Sequence, residues 1–91
     1  MELSERWIQK FEAEGFTDVS ERQDAPGAVC APQVCNHKTS LFVTDGSITF
    51  DFEGEKREVK AGERFDVPTG KAYTTVAGPG GMIAIVGESD E

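Results

Sequence analysis

The scarce chemical groups of this 91-residue chain are two thiols, one imidazole and one phenol. Cys35 and His37 stand two positions apart, so an extended backbone places sulfur and imidazole on one face, where they could hold a divalent transition metal. The competing assignment puts His37 in a connecting segment beside Asn36 and Lys38, facing water, and the polar neighbours favour it. Cys30 precedes Cys35 by five residues, which in an unbroken strand sets the two on opposite faces and argues against a disulfide. Pro32, between them, is the residue able to break that strand. Tyr73 can donate a hydrogen bond or act as a general acid, or it can line a core with its hydroxyl paired to Gln33 or Thr75. Asp51, Glu53, Glu55 and Glu58 read most simply as a solvated face, although paired carboxylates also serve as acid/base devices.

Charge and size narrow the classes. Seventeen Asp and Glu against nine Lys and Arg give a formal charge of -8, which repels phosphate backbones and anionic lipid and disfavours nucleic acid and membrane surfaces as partners. No apolar run approaches the roughly 20 residues of a bilayer span, and the opening MELSER lacks a basic stretch followed by an apolar core, so a soluble, cytoplasmic chain is expected. A mass of 9.9 kDa predicts one domain over residues 1–91. Such a chain should expose about 5,000 Å² when folded, from roughly 14,000 Å² unfolded. Two cysteines are too few for a disulfide-stapled scaffold or a paired CxxC zinc site.

The elements that must position these groups change period at Gly15. Leu3, Trp7, Ile8 and Phe11 form a helical stripe, with Ser4 as a prospective N-cap, a Leu3–Ile8 staple and Gly15 as the stop, predicting one short helix over about 5–14. A helix this short needs a surface to dock on, and Trp7 and Phe11 would seal one end or face of the domain. From Phe16 the period is two and turn residues recur every 8 to 12 positions. Ile48, Phe50 and Phe52 alternate with polar residues over Ser47–Glu53, flanked by Asp45-Gly46 and Glu53-Gly54. Leu41–Thr44, Ser47–Glu53 and Lys56–Lys60 therefore read as a meander. Phe16–Ser20, Ala28–Cys35, Arg64–Val67, Ala72–Ala77 and Met82–Val86 complete eight short strands, the last two separated by Gly78-Pro79-Gly80-Gly81. The expected fold class is all-β, a small antiparallel jelly-roll barrel over about 16–87, with one N-terminal helix and a frayed acidic tail at 88–91.

Two glycine and proline frames sit within these strands. Gly27, Gln33, Cys35, Thr39 and Gly46 occupy the fixed positions of G-x5-H-x-H-x3,4-E-x6-G. Gly62, Pro68 and Gly70 match G-x5-P-x-G-x2-H-x3-N, with Tyr73 and Ala77 at its histidine and asparagine positions. The chain thus resembles the small single-domain cupins, RmlC-like jelly rolls, from Gly27 to Ala77, with the metal-binding motifs degenerate. The resemblance implies a barrel pocket at Gln33, Cys35, Thr39 and Tyr73. In metal-dependent cupins three histidines and a glutamate hold the ion, and of the residues at those positions here only Cys35 would be a good ligand. The cofactor expectation is therefore none, or an atypical divalent transition metal on Cys35 and His37.

Gln33 and Cys35 share a strand face, and Tyr73 converges with them only if the barrel closes; Phe50, Val67 and Ile85 are the expected apolar walls. The function expected is small-molecule binding without the usual metal. The alternative is an enzyme of oxygenase, isomerase or epimerase type, using a Cys/His metal or metal-free acid/base residues, as some epimerases of the superfamily do. Small cupins commonly pair, so a homodimer is also expected.

Overall fold

The computed structural model describes residues 3–34 and 36–89. It comprises helix α1 (Leu3–Ala13) and strands β1 (Asp18–Asp24), β2 (Val29–Val34), β3 (Thr39–Phe52), β4 (Glu55–Lys60), β5 (Arg64–Val67) and β6 (Ala72–Glu88). All strand pairs are antiparallel. The accessible surface is 5362 Å², close to the scaling expectation. Among the described residues no helix is long and apolar enough to cross a membrane.

The expected eight strands become six because two pairs are continuous. Leu41–Thr44 and Ser47–Glu53 fuse into β3, and Ala72–Ala77 and Met82–Val86 fuse into β6. Asp45-Gly46 is therefore a bend inside a strand, not a hairpin turn, and only the second link of the expected meander is a hairpin. That link is the two-residue turn Glu53-Gly54, with φ of 56° and 96°, the double left-handed geometry that tight hairpins favour. The β3–β6 ladder shifts register on either side of Gly46. Gly46 and Gly81, both at positive φ, meet there, and a Cβ on Gly46 would fall on the carbonyl of Gly81.

The bend divides the sheet into two four-stranded layers. One runs β1, β6 (82–88), β3 (39–43), β5; the other runs β2, β6 (72–77), β3 (47–52), β4. Leu41, Val43 and Ala84 from the first pack with Ile48, Phe50, Val59 and Ala77 from the second in one core cluster. This is a jelly roll, and counting each bent strand twice restores the expected eight.

The opposite face of the first layer is also covered. Phe42 and Ile85, cross-strand partners, join Phe11 and Phe16 in a second buried cluster. Trp7 stacks on Phe42 with ring centroids 3.9 Å apart. Gly87 leaves room for these rings, since a Cβ there would lie 3.0 Å from Phe16 and 3.2 Å from Phe11. The helix begins at Leu3, so Ser4 lies inside its first turn and is not the N-cap; the side chain of Leu3, and with it the expected staple, lies outside the described residues. The C-terminus follows the expectation closely. Gly15 at φ 101° donates to the Glu12 carbonyl, Phe16 donates to the Phe11 carbonyl, and the Phe11 and Phe16 rings meet edge to face at 5.3 Å.

An ionic network fastens the helix end to β5. Arg64 donates two 2.7 Å bonds to the Glu14 carboxylate and one of 3.1 Å to Asp66, which also accepts from buried Ser40 at 2.6 Å. The bond from Arg64 holds Glu14 below its ordinary value of 4.5, and those from Ser40 and then Arg64 hold Asp66 below 3.8.

Gly46→Ala should destabilise by about 4 kcal/mol or more, because backbone strain and a collision with backbone coincide. Gly54→Ala, equally left-handed but with open space around it, should cost only about 1–2 kcal/mol. Urea unfolding measures both, and equal losses would show that the seam contact does not matter. The depressed carboxylates give a signed pH dependence. Their stabilisation is complete above pH 4.5 and is lost as pH falls through the lower folded values. The urea midpoint should therefore drop as pH falls below about 4.5. Arg64→Gln should flatten that drop, and an unchanged slope would place the acid sensitivity elsewhere.

Candidate functional site

A single extra residue in β2 sets the geometry of the pocket. Cys30 opposes Thr75 and Gln33 opposes Tyr73, so three steps along β2 match two along β6. This bulge, at Ala31-Pro32, turns Gln33 to the same side as Cys30, with Gln33 Nε2 3.7 Å from Cys30 Sγ. The premise of an unbroken strand, used above to set Cys30 and Cys35 on opposite faces, does not hold. Cys35 itself lies outside the described residues.

The polar groups converge from both layers. Thr39 faces Glu88 across the β3–β6 ladder and Val67 across β3–β5. His37 Nε2 lies 3.0 Å from Glu88 Oε2, and Thr39 Oγ1 donates to the His37 carbonyl at 3.4 Å. Arg22 lies on β1 opposite Ala84, on the core side of the first layer. It donates to Asp24 through Nε at 3.1 Å and Nη2 at 2.9 Å, and Nη2 is 3.7 Å from Cys30 Sγ. Burial opposes the Arg22 charge most strongly of any one influence, but the bonds to Asp24, its negative charge and Cys30 together hold the guanidinium above its ordinary value.

These residues border a half-open cavity of about 160 Å³ between the layers. Its polar lining is Arg22, Gln33, His37, Thr39, Tyr73 and Glu88, and its apolar walls include Leu41, Phe50, Val67 and Val86. Tyr73 belongs to an aromatic group, its centroid 5.5 Å from Phe50 and 5.6 Å from Phe52. Gln33, Thr39 and Tyr73 of the sequence-derived set thus border one cavity. Ile85 does not; its partner is Phe42, and both face the helix. His37 borders the cavity with its side chain 42% exposed, paired to Glu88, where the sequence favoured plain solvent. Glu88 ends β6 and Ser89 donates to the Lys38 carbonyl, so neither belongs to a frayed tail; Asp90 and Glu91 lie outside the described residues.

Arg22 and Glu88 were missed. The expected first strand stopped at Ser20, and the alternation that would have turned Arg22 inward continues past it to Asp24. Asp51 and Glu53 border a more open groove of about 250 Å³, where Asp51 accepts from the Gly54 amide at 2.7 Å and so shapes the hairpin turn. Among the described residues no group of three or more His, Cys, Asp or Glu is placed to hold a metal ion.

No known protein family and no curated protein matches the sequence. Solved structures do match. A protein of unknown function from Rhizobium leguminosarum bv. viciae 3841 superposes with a TM-score of 0.73 at 18% identity, over 80% of this chain and 69% of that one. An RmlC-like cupin from Shewanella frigidimarina NCIMB 400 gives 0.68 at 23% identity, over 80% of this chain and 65% of that one. A cupin-like protein from Thermotoga maritima MSB8 gives 0.72 at 22% identity, over 86% of this chain and 61% of that one. This chain spans less than two thirds of the Shewanella and Thermotoga proteins. The two bent layers are those of a double-stranded β-helix. In particular, the fold is the cupin jelly roll.

Proposed function

We propose that this chain binds a small molecule in the cavity between its layers, without the metal usual for cupins. The observation that carries the reading is the convergence of Gln33, Thr39 and Tyr73, separated in sequence, on one cavity with apolar walls. At about 160 Å³ the space is below the roughly 300 Å³ of drug-sized sites and suits a small metabolite. The donor set argues against the usual metal. An amide, a thiol, a hydroxyl and a phenol stand at the sequence positions of the three imidazoles and the carboxylate that hold the ion in metal-dependent cupins, and of the four only the thiol of Cys35 is a good ligand.

One observation favours an acid/base enzyme as the second reading. The His37–Glu88 pair orients an imidazole beside the same cavity that Tyr73 borders, so a base and a proton donor would both be near a bound substrate. Fold does not choose between the readings. His37→Gln discriminates them, because a binding protein keeps its ligand while an acid/base catalyst loses turnover.

Fragment titration of ¹⁵N-labelled protein should give saturable amide shifts clustered at Thr39, Leu41, Tyr73 and Val86. Shifts confined to the outer groove at Asp51 and Glu53 would move the site there. Elemental analysis of untagged protein should find no stoichiometric transition metal. One tightly held ion per chain, lost in Cys35→Ser, would overturn the metal-free reading.

A further inference from the structure

We propose that Arg22 makes this cavity selective for a small carboxylate, an inference that rests on the cavity being the ligand site. A guanidinium carries five N–H donors and stays charged at any working pH. Asp24 occupies Nε and one donor of Nη2, which fixes the plane of the fork, and Cys30 Sγ lies near Nη2. Nη1 has no partner among the described residues, so two donors of a positioned cation remain uncommitted. The side chain is 34% exposed and borders the half-open cavity. There a charge-assisted bond is stronger than the same bond in water.

The carboxylates beside the cavity do not attract an anion, so the contact must come from Arg22 itself. Asp24 is taken up by Arg22 and Glu88 by His37, so each carboxylate already faces a partner. What remains unspent is donor capacity, at Nη1 of Arg22. A neutral acceptor can use those donors too, but a carboxylate forms bonds roughly twice as strong with them. The limited volume confines the acid to a short chain, and Phe50, Val67 and Val86 provide apolar contact for its carbon end.

The test compares near-isosteric probes that differ in charge. Labelled protein is titrated with propionate and lactate, and in parallel with propanamide and lactamide, at neutral pH and fixed ionic strength. The acids should shift amides at Arg22, Thr39 and Tyr73 and bind at least about tenfold tighter than the amides. Arg22→Gln should remove that advantage, weakening the acids far more than the amides. Arg22→Lys keeps the charge but not the fork, and should retain only part of it. If Arg22→Gln fails to fold, the lysine variant decides, and an undiminished preference in it overturns the role of the fork. Amides binding in the cavity as tightly as the acids overturn the carboxylate inference and leave the ligand site standing. Absence of saturable cavity shifts with all four probes overturns both.

Discussion

The close approach of β3 and β6 at Gly46 and Gly81 is the constraint on which the rest of the molecule depends. Two long antiparallel strands can fold over into two layers only if both bend at the same level. Bending them there brings backbone against backbone with no space for a side chain. Either glycine alone would bend one strand and tear the ladder. Together, with the register shift between Gly46 and Ile48, they let pairing resume on the far side with Ile48 opposite Ala77. Every edge strand then takes its layer from the half of β3 or β6 it pairs with.

That bend also explains why one stretch of strand is buried on both faces. Over Ser40–Val43 the inward side chains enter the inter-layer core, whereas Phe42 turns outward and would be an exposed aromatic without α1. The helix covers it with Trp7 and Phe11, and Gly87 on the neighbouring strand is small enough to let the rings settle. Arg64 completes the attachment, its guanidinium binding Glu14 and lying 5.0 Å from the Phe11 centroid. The short helix is thus held by burial, by a C-terminal cap and by one bidentate ion pair, not by its intrinsic propensity.

Local pattern was enough to read what depends on local backbone. The alternation of Ile48, Phe50 and Phe52, the Glu53-Gly54 hairpin and the stop at Gly15 all follow from period and turn chemistry within a few residues. The fused strands were not legible, because Asp45-Gly46 looks the same whether the chain reverses or bends. The difference lies in a partner strand more than 30 residues away, where Gly46 faces Met82. The site divides along the same line. Gln33, Thr39 and Tyr73 fall at frame positions and could be named from spacing. The His37–Glu88 contact joins residues 51 apart and appears only once β6 is seen to run on past Val86. Arg22 required the length of β1, which a run as polar as DVSERQD does not announce.

The charge of the chain and the charge within the cavity work at different ranges. A net charge of -8 sets up a field that opposes the approach of any anion, but surface charges more than about 8 Å away are largely screened at physiological salt. Inside the cavity the permanent cation, Arg22, is paired with Asp24, and Glu88 lies against His37, so the long-range field has no cationic counterpart there to offset it. The proposed selectivity for an acid therefore rests on contact geometry, on the two donors on one nitrogen of Arg22 that Asp24 leaves unused. A site built this way discriminates by short-range hydrogen bonds that form only after the ligand has lost its water. It also depends on Asp24, the carboxylate that diminishes the cation's charge and at the same time aims it.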